Sequence, residues 1–176
     1  LGKHFGFHSL LLEDIMNTEQ RPKTDDLGNH IFIILKMLTY NETEKKVDTE
    51  QISLILGHNF VISFQEKEGD IFDPVRKRIR ENKGRIRKMG TDYLAYSLID
   101  TIVDHYFIVL EKLDERIEEL EEQAITNPTT GSIKLLHKLR GEMISLRKSI
   151  WPLREVVSGM LRSGSSLISK NTSIYL

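Results

Sequence analysis

Residues 91–162 read TDYLAYSLIDTIVDHYFIVLEKLDERIEELEEQAITNPTTGSIKLLHKLRGEMISLRKSIWPLREVVSGMLR, and this stretch decides the fold. In its first half Leu94, Leu98, Ile102, Tyr106, Val109, Leu113, Ile117, Leu120 and Ala124 recur at steps of three or four, the period of one helical face. The second half repeats the pattern with Ile133, Leu136, Met143, Leu146, Ile150, Leu153, Val157 and Met160. Between them lie Asn127-Pro128-Thr129-Thr130-Gly131, residues that stop helices, so the pattern predicts an antiparallel helical hairpin. Charge supports the pairing. Seven acids against Lys112 and Arg116 crowd residues 111–122, whereas seven bases against Glu142 and Glu155 lie along residues 134–162. Opposite fields favour this register, although each exposed pair contributes only ~0–1 kcal/mol. Trp151-Pro152 is expected to kink the returning arm, because Pro lacks a backbone donor and clashes one turn back.

The remainder of the chain is read against this hairpin. A length of 176 residues suits one domain, or one domain with a projecting element. A 39% hydrophobic and 29% charged composition fits a globular protein, and a net charge of −1 gives no global attraction to nucleic acid or anionic membrane. The absence of cysteine excludes disulfides, thiolate metal sites and thiol nucleophiles. The longest purely apolar run, residues 31–35, ends at Lys36, far short of the ~20 residues that span a bilayer, so no part of this sequence is expected to cross one. A chain that opens on Leu1, already within a helical pattern, is expected to be a portion of something longer.

Before the hairpin the signals change. Residues 1–7 read as a helix tail, and Ser9 is placed to cap a short helix over residues 10–16 that carries Glu13 and Asp14 side by side. Arg21-Pro22-Lys23 breaks it. Residues 29–40 are a dense, β-branched apolar run, predicted as a strand buried on both faces. Residues 50–56 and 60–65 predict two further strands joined at Gly57-His58-Asn59. Asp73-Pro74 then opens a helix, with Asp73 as the expected cap. Strands followed by helices give an α+β fold. Past the hairpin, Ser163-Gly164-Ser165-Ser166 reads as a flexible joint and residues 167–176 as the resumption of a helix.

No nucleophile elbow, phosphate-binding loop, dinucleotide fingerprint or His-Glu-x-x-His motif is present, and the six histidines lack ligand spacing, so the chain does not read as an enzyme. Residues 76–88 hold eight bases and Glu81, but without interleaved aromatic residues they read as a solvated or intersubunit face rather than a nucleic-acid site. Asp70 and Asp73 lack calcium-loop spacing. The informative carboxylates are Glu13 and Asp14, with Asp100 and Asp104 one turn apart on the first arm. A hard cation such as Mg²⁺ keeps several waters and needs only one or two carboxylates from separate elements.

The strings Leu11-Leu12-Glu13-Asp14-Ile15, Gln20-Arg21-Pro22-Lys23, Phe64-Gln65-Glu66-Lys67, Phe72-Asp73-Pro74-Val75-Arg76, Tyr96-Ser97-Leu98-Ile99-Asp100 and Arg147-Lys148-Ser149-Ile150-Trp151-Pro152-Leu153-Arg154-Glu155-Val156 resemble, in order and spacing, the CorA family of Mg²⁺ channels. The resemblance runs from Leu1 to Leu176. It implies a cytoplasmic regulatory domain: an α/β sandwich over residues 1–90 with a mixed sheet between helices, its N-terminal strands missing, then the projecting hairpin at 91–162. Residues 163–176 would be a joint and the start of a stalk helix. It also implies a homopentamer on the cytoplasmic face of the cell membrane. The membrane would be reached only through C-terminal helices that, with the Gly-Met-Asn pore signature, would lie beyond Leu176, so this portion would not itself conduct ions.

In the resemblance, Mg²⁺, or Co²⁺ and similar divalent cations, sits between identical subunits and holds the channel closed. Asp14 matches the main intersubunit carboxylate, and Glu13 and Asp100 match a second site nearby. The partner acid of Asp14 would belong to the neighbouring stalk helix, past Leu176. Ser163 to Ser166 depart from the family pattern, in which an acid and prolines often precede the stalk. Without the resemblance, the hairpin alone would equally suit an adaptor that docks a protein partner and holds no metal.

Overall fold

The computed structural model describes residues 2–126, 130–162 and 164–176. Its centre is the apolar run foreseen as a buried strand. This is β2 (His30–Asn41), paired antiparallel along its whole length with β3 (Lys46–Gly57). Because successive side chains on a strand point to opposite faces, Ile31, Ile33 and Leu35 face one way while Phe32 and Ile34 face the other. All five are at most 1% exposed, so the sheet is covered on both sides.

Two smaller strands complete the order β1-β2-β3-β4. β4 (Val61–Gln65) follows β3 through a loop at 58–60, one residue later than the expected Gly57-His58-Asn59. β1 (Lys23–Asp26) is a finding of the structure: where the sequence reads only a break, Lys-Thr-Asp-Asp pairs antiparallel with residues 31–34 of β2. Of its side chains only Thr24 favours a strand, while Lys and Asp are depleted there. It forms because the edge of β2 presents unpaired backbone donors and acceptors to a chain that Gly28, at φ +82°, turns back tightly. The pairings among the described strands are all antiparallel, whereas the family resemblance implies a mixed sheet.

On the Phe32 and Ile34 face lie α1 (Gly2–Phe5) and α2 (Ser9–Met16), with Phe7 and Leu11 packed against Phe32, Ile34 and Ile55. The cap of α2 is His8, not Ser9: its Nδ1 accepts from the Leu10 N–H at 3.2 Å, one residue earlier than the hydroxyl reading placed it. On the opposite face lies α4 (Thr91–Thr126), whose Leu98, Ile99, Ile102, Tyr106 and Val109 meet Ile31, Ile33, Leu35 and Leu54. This helix is long and apolar enough to cross a membrane by length and composition alone, contrary to the expectation from uninterrupted apolar runs, yet its apolar side is taken up by the sheet. Beside α4, α3 (Asp73–Arg80) carries Pro74 in its first turn as predicted and buries Val75 in the core on that side of the sheet. Asp73 does not cap it. That carboxylate instead accepts from Arg76 at 3.1 Å, and Asp70 both accepts from the Phe72 N–H at 2.8 Å and pairs with Arg76.

The returning arm is two helices, α5 (Thr130–Ile150) and α6 (Leu153–Arg162), separated at Trp151-Pro152 where the sequence foresaw a kink. Residues 127–129 of the predicted turn lie outside the described residues. The stripe foreseen on this arm holds only in part. Leu146, Leu153 and Met160 are buried, but Ile133, Leu136 and Met143 are exposed and Leu139 and Val156 are buried in their place. Among the described residues α5 contacts both α4 and β2, and its exposed apolar residues Ile133, Leu135 and Leu136 lie toward the hairpin tip. Between the arms, the buried ion pair reverses the gross charge pattern: Arg116 of the acidic arm donates to Glu142 of the basic arm at 2.6 Å.

α6 packs across β1 on the α4 side of the sheet. The approach is close enough that a Cβ on Gly159 would overlap the Thr24 methyl group. After it, residues 164–176 return to the start of α4, with one helical turn, α7 (Lys170–Ser173), where Ser169 N–H donates to Asp92 Oδ2 at 2.9 Å.

Candidate metal centre

The helix α2 projects Glu13 and Asp14 from a base that is held firmly. Leu11 is buried against the sheet, and Gln51 of β3 donates its amide to the carbonyls of Asp14 and Asn17 at 3.3 and 3.1 Å. Glu13 is exposed and Asp14 half-buried. The Asp14 carboxylate has two cationic or polar partners within the chain: Gln20 donates to Oδ1, and Lys23 Nζ lies 2.6 Å from Oδ2. Lys23 stands on β1 opposite Ile34, so register places its side chain on the α2 face. These hydrogen bonds, that of Lys23 foremost, hold the Asp14 carboxyl below its ordinary value. Burial works against the Lys23 charge, but its bonds to Asp14 and Asp25 outweigh it and raise the ammonium.

Asp100 and Asp104 lie one turn apart on α4, Asp100 half-buried and Asp104 exposed. Tyr96, one turn earlier, belongs to an aromatic cluster with Tyr93 and Tyr175. Burial, then the charge and hydrogen bond of Asp100, push the Tyr96 hydroxyl up to about 12. It therefore stays a proton donor toward that carboxylate at neutral pH.

The structure thus brings Asp14 together with Gln20 and Lys23, and Asp100 with Tyr96 and Asp104, but it does not bring the two carboxylate pairs together. α2 and α4 cover opposite faces of one sheet, with β2 and β3 between them. Among the described residues no group of three or more His, Asp or Glu side chains is arranged to hold a metal ion. The donor chemistry still suits a hard cation. Both pairs offer carboxylate oxygens, and Asp14 is kept ionised by its neighbours.

Sequence reasoning missed Lys23, Gln20 and Tyr96. For the first two the signal is Pro22, which directs the chain from the helix back along β2 and so carries Lys23 beneath Asp14. For Tyr96 it is the four-residue spacing to Asp100 on a helix.

Residues 1–176 match the sequence profile of the family described as CorA-like Mg²⁺ transporter protein. Among curated proteins, the cobalt/magnesium transport protein CorA of Thermotoga maritima is 51% identical over 175 residues, which cover 99% of this chain and 50% of that relative. The putative metal ion transporter YfjQ of Bacillus subtilis is 28% identical over 172 residues, 97% of this chain and 52% of that protein. The chain therefore spans about half the length of the curated relatives it matches. Among solved structures, the soluble domain of CorA from Methanocaldococcus jannaschii superposes with a TM-score of 0.82 at 19% identity, covering 99% of this chain and 69% of that one. The complete CorA magnesium transporter from the same organism gives 0.83 over 99% of this chain and 54% of its own. At that identity the likeness concerns the fold.

Proposed function

Because the chain belongs to the family of CorA-like Mg²⁺ transporter proteins, we propose that it is the cytoplasmic regulatory portion of a divalent-cation channel carrying Mg²⁺ and also Co²⁺. In this reading it senses Mg²⁺ through carboxylates shared between identical subunits of a pentamer. The observation that carries the proposal is the separation of Glu13 and Asp14 from Asp100 and Asp104 by the full thickness of the sheet. Carboxylates so divided cannot share an ion within one protomer. Side by side in a ring, the α2 face of one copy can meet the α4 face of the next.

The mechanism follows from linkage. With the site empty, carboxylates of neighbouring subunits repel and loosen the interface; a bound divalent cation neutralises them and stabilises the interface by an amount set by its concentration relative to its dissociation constant. Asp14 would be the principal carboxylate, with Glu13 and Asp100 forming a second site and Asp104 one turn beyond it. Within the chain, Lys23 and Gln20 fix the Asp14 carboxylate and keep it ionised between binding events. Through the stalk, the closed interface would restrain a pore in the membrane.

Thermal melts and sedimentation of the chain with and without millimolar Mg²⁺ test the reading. The expected result is a higher melting temperature and a larger species in Mg²⁺, both lost in Asp14→Asn. An identical response in Asp14→Asn would refute the role of Asp14. Protein capture without any metal response would favour the adaptor.

A further inference from the structure

We propose that the cleft between the α2–β1 loop and the end of α5 binds a small phosphate-bearing anion of the nucleoside polyphosphate class. The cleft has a volume of about 680 Å³, within the size range of small-molecule sites, and none of its residues is among the carboxylates discussed above. Four bases from three separate elements converge on it: Arg21 from the loop, Lys36 from β2, and Arg147 and Lys148 from α5. Glu19 is the single acid in its lining. In a chain of net charge −1 this is a local concentration of positive potential, not a reflection of composition.

The state of these bases points the same way. Among the described residues none of the four forms an ion pair, although carboxylates are as numerous as bases in the chain. Lys36 is half-buried and spends one of its three donors on the Thr18 carbonyl at 2.6 Å. Burial lowers its affinity for the proton, and the charges of Glu66 and Glu19 restore only part of it. An anion in the cleft would supply the missing counter-charge. Arg147 and Lys148 also lie in the last turn of α5, where cations complement the helix end. That role explains neither Arg21 and Lys36 in the same cleft nor the aromatic ring at its rim.

The ring is that of Trp151, at the break between α5 and α6. It is 73% exposed, with the Arg147 guanidinium 5.2 Å from its centroid. A large apolar ring held at the mouth of a basic cleft offers a stacking surface for a nucleobase, while the guanidinium beside it can pair bidentately with phosphate oxygens. Inorganic polyphosphate would use only the bases. The exposed ring favours the nucleoside form.

The test is calorimetric titration of the chain in EDTA, without divalent cations, using ATP, inorganic triphosphate and inorganic phosphate as probes. Saturable, salt-sensitive binding of ATP is expected. It should weaken about tenfold or more in Arg147→Ala/Lys148→Ala and in the exposed-site variant Arg21→Ala, each checked for an unchanged circular dichroism spectrum. Trp151→Leu should weaken ATP while leaving triphosphate unchanged. Absence of saturable binding to every probe, or binding indifferent to the basic substitutions, would overturn the site. Equal binding of ATP and triphosphate, both indifferent to Trp151→Leu, would overturn the nucleoside assignment. The same titration on Asp100→Asn, whose carboxylate on α4 neither lines the cleft nor bonds to a residue that does, is expected to match the unsubstituted chain, so this site stands or falls independently of the cation proposal.

Discussion

Lys23 Nζ rests 2.6 Å from Asp14 Oδ2, an ammonium seated on the carboxylate that the proposed function assigns to a divalent cation. β1, which only Thr24 favours by propensity, is the element that puts it there. Both side chains are about one-third exposed, so the pair contributes only ~0–1 kcal/mol to folding after solvent screening. Its greater consequence is competition, since a metal ion must approach an oxygen already occupied by a tethered cation.

Replacing the ammonium in Lys23→Met should therefore shift the Mg²⁺ concentration for half-maximal thermal stabilisation downward, by up to about fivefold, the equivalent of ~1 kcal/mol. A fluorescence melt across a Mg²⁺ series reads this directly. An unchanged or higher midpoint would show that Lys23 supports the site rather than competing for it. The pH sign also follows. Asp14 is held below its ordinary value, so its stabilising contribution is present above the unfolded carboxylate value of ~4 and is lost as pH falls through the lower folded value. Lys23→Met should flatten that acid-side loss.

Asp92 anchors the last described segment. It is 4% exposed, and its carboxylate accepts from the Ser169 N–H and the Tyr93 N–H, each at 2.9 Å. Burial alone would raise its pKa, but those bonds and the hydroxyls of Ser169 and Thr172 outweigh it and lower the value. Asp92→Ala should cost about 2 kcal/mol by denaturant unfolding at pH 7, because it removes two hydrogen bonds made to a buried, charged acceptor. The gap between the two proteins should begin to close as pH falls below the unfolded carboxylate value of ~4 and vanish only once pH has fallen through the lower native value of Asp92.

Arg116 and Glu142 form the buried pair between the hairpin arms, and Glu142 Oε1 has no further partner among the described residues. Truncating Arg116 alone should cost about 3 kcal/mol by leaving a buried carboxylate unpaired. Arg116→Met with Glu142→Met should recover most of that loss. Hydrogen exchange along α5 reports whether the arms separate in the single variant and close again in the double.

Gly159 is the point of contact between α6 and β1. Gly159→Ala should destabilise by about 1–3 kcal/mol despite the helix propensity of Ala, because the added methyl meets Thr24. Thr24→Ser in the same background removes the obstructing methyl and should restore stability in a urea titration.

Periodicity alone settled much of this molecule. Residues 91–126 could form only a helix with one apolar face, residues 30–40 only a strand buried on both sides, and Pro152 could not continue α5. These are local consequences of side-chain spacing and backbone chemistry, and the motif strings added the family. Tertiary structure decided what spacing could not encode. β1 forms because an edge needs pairing, and the apolar stripe of α5 divides, with Ile133 and Leu136 exposed toward the tip and Leu146 buried near the break. The sequence resemblance assigns Asp14 to one intersubunit site and Asp100, with Glu13, to a second nearby, and the tertiary structure sets Asp14 and Asp100 on opposite faces of the sheet within the chain. Strand alternation assigns each helix to a face only once register is known, and register depends on contacts between residues far apart in the chain.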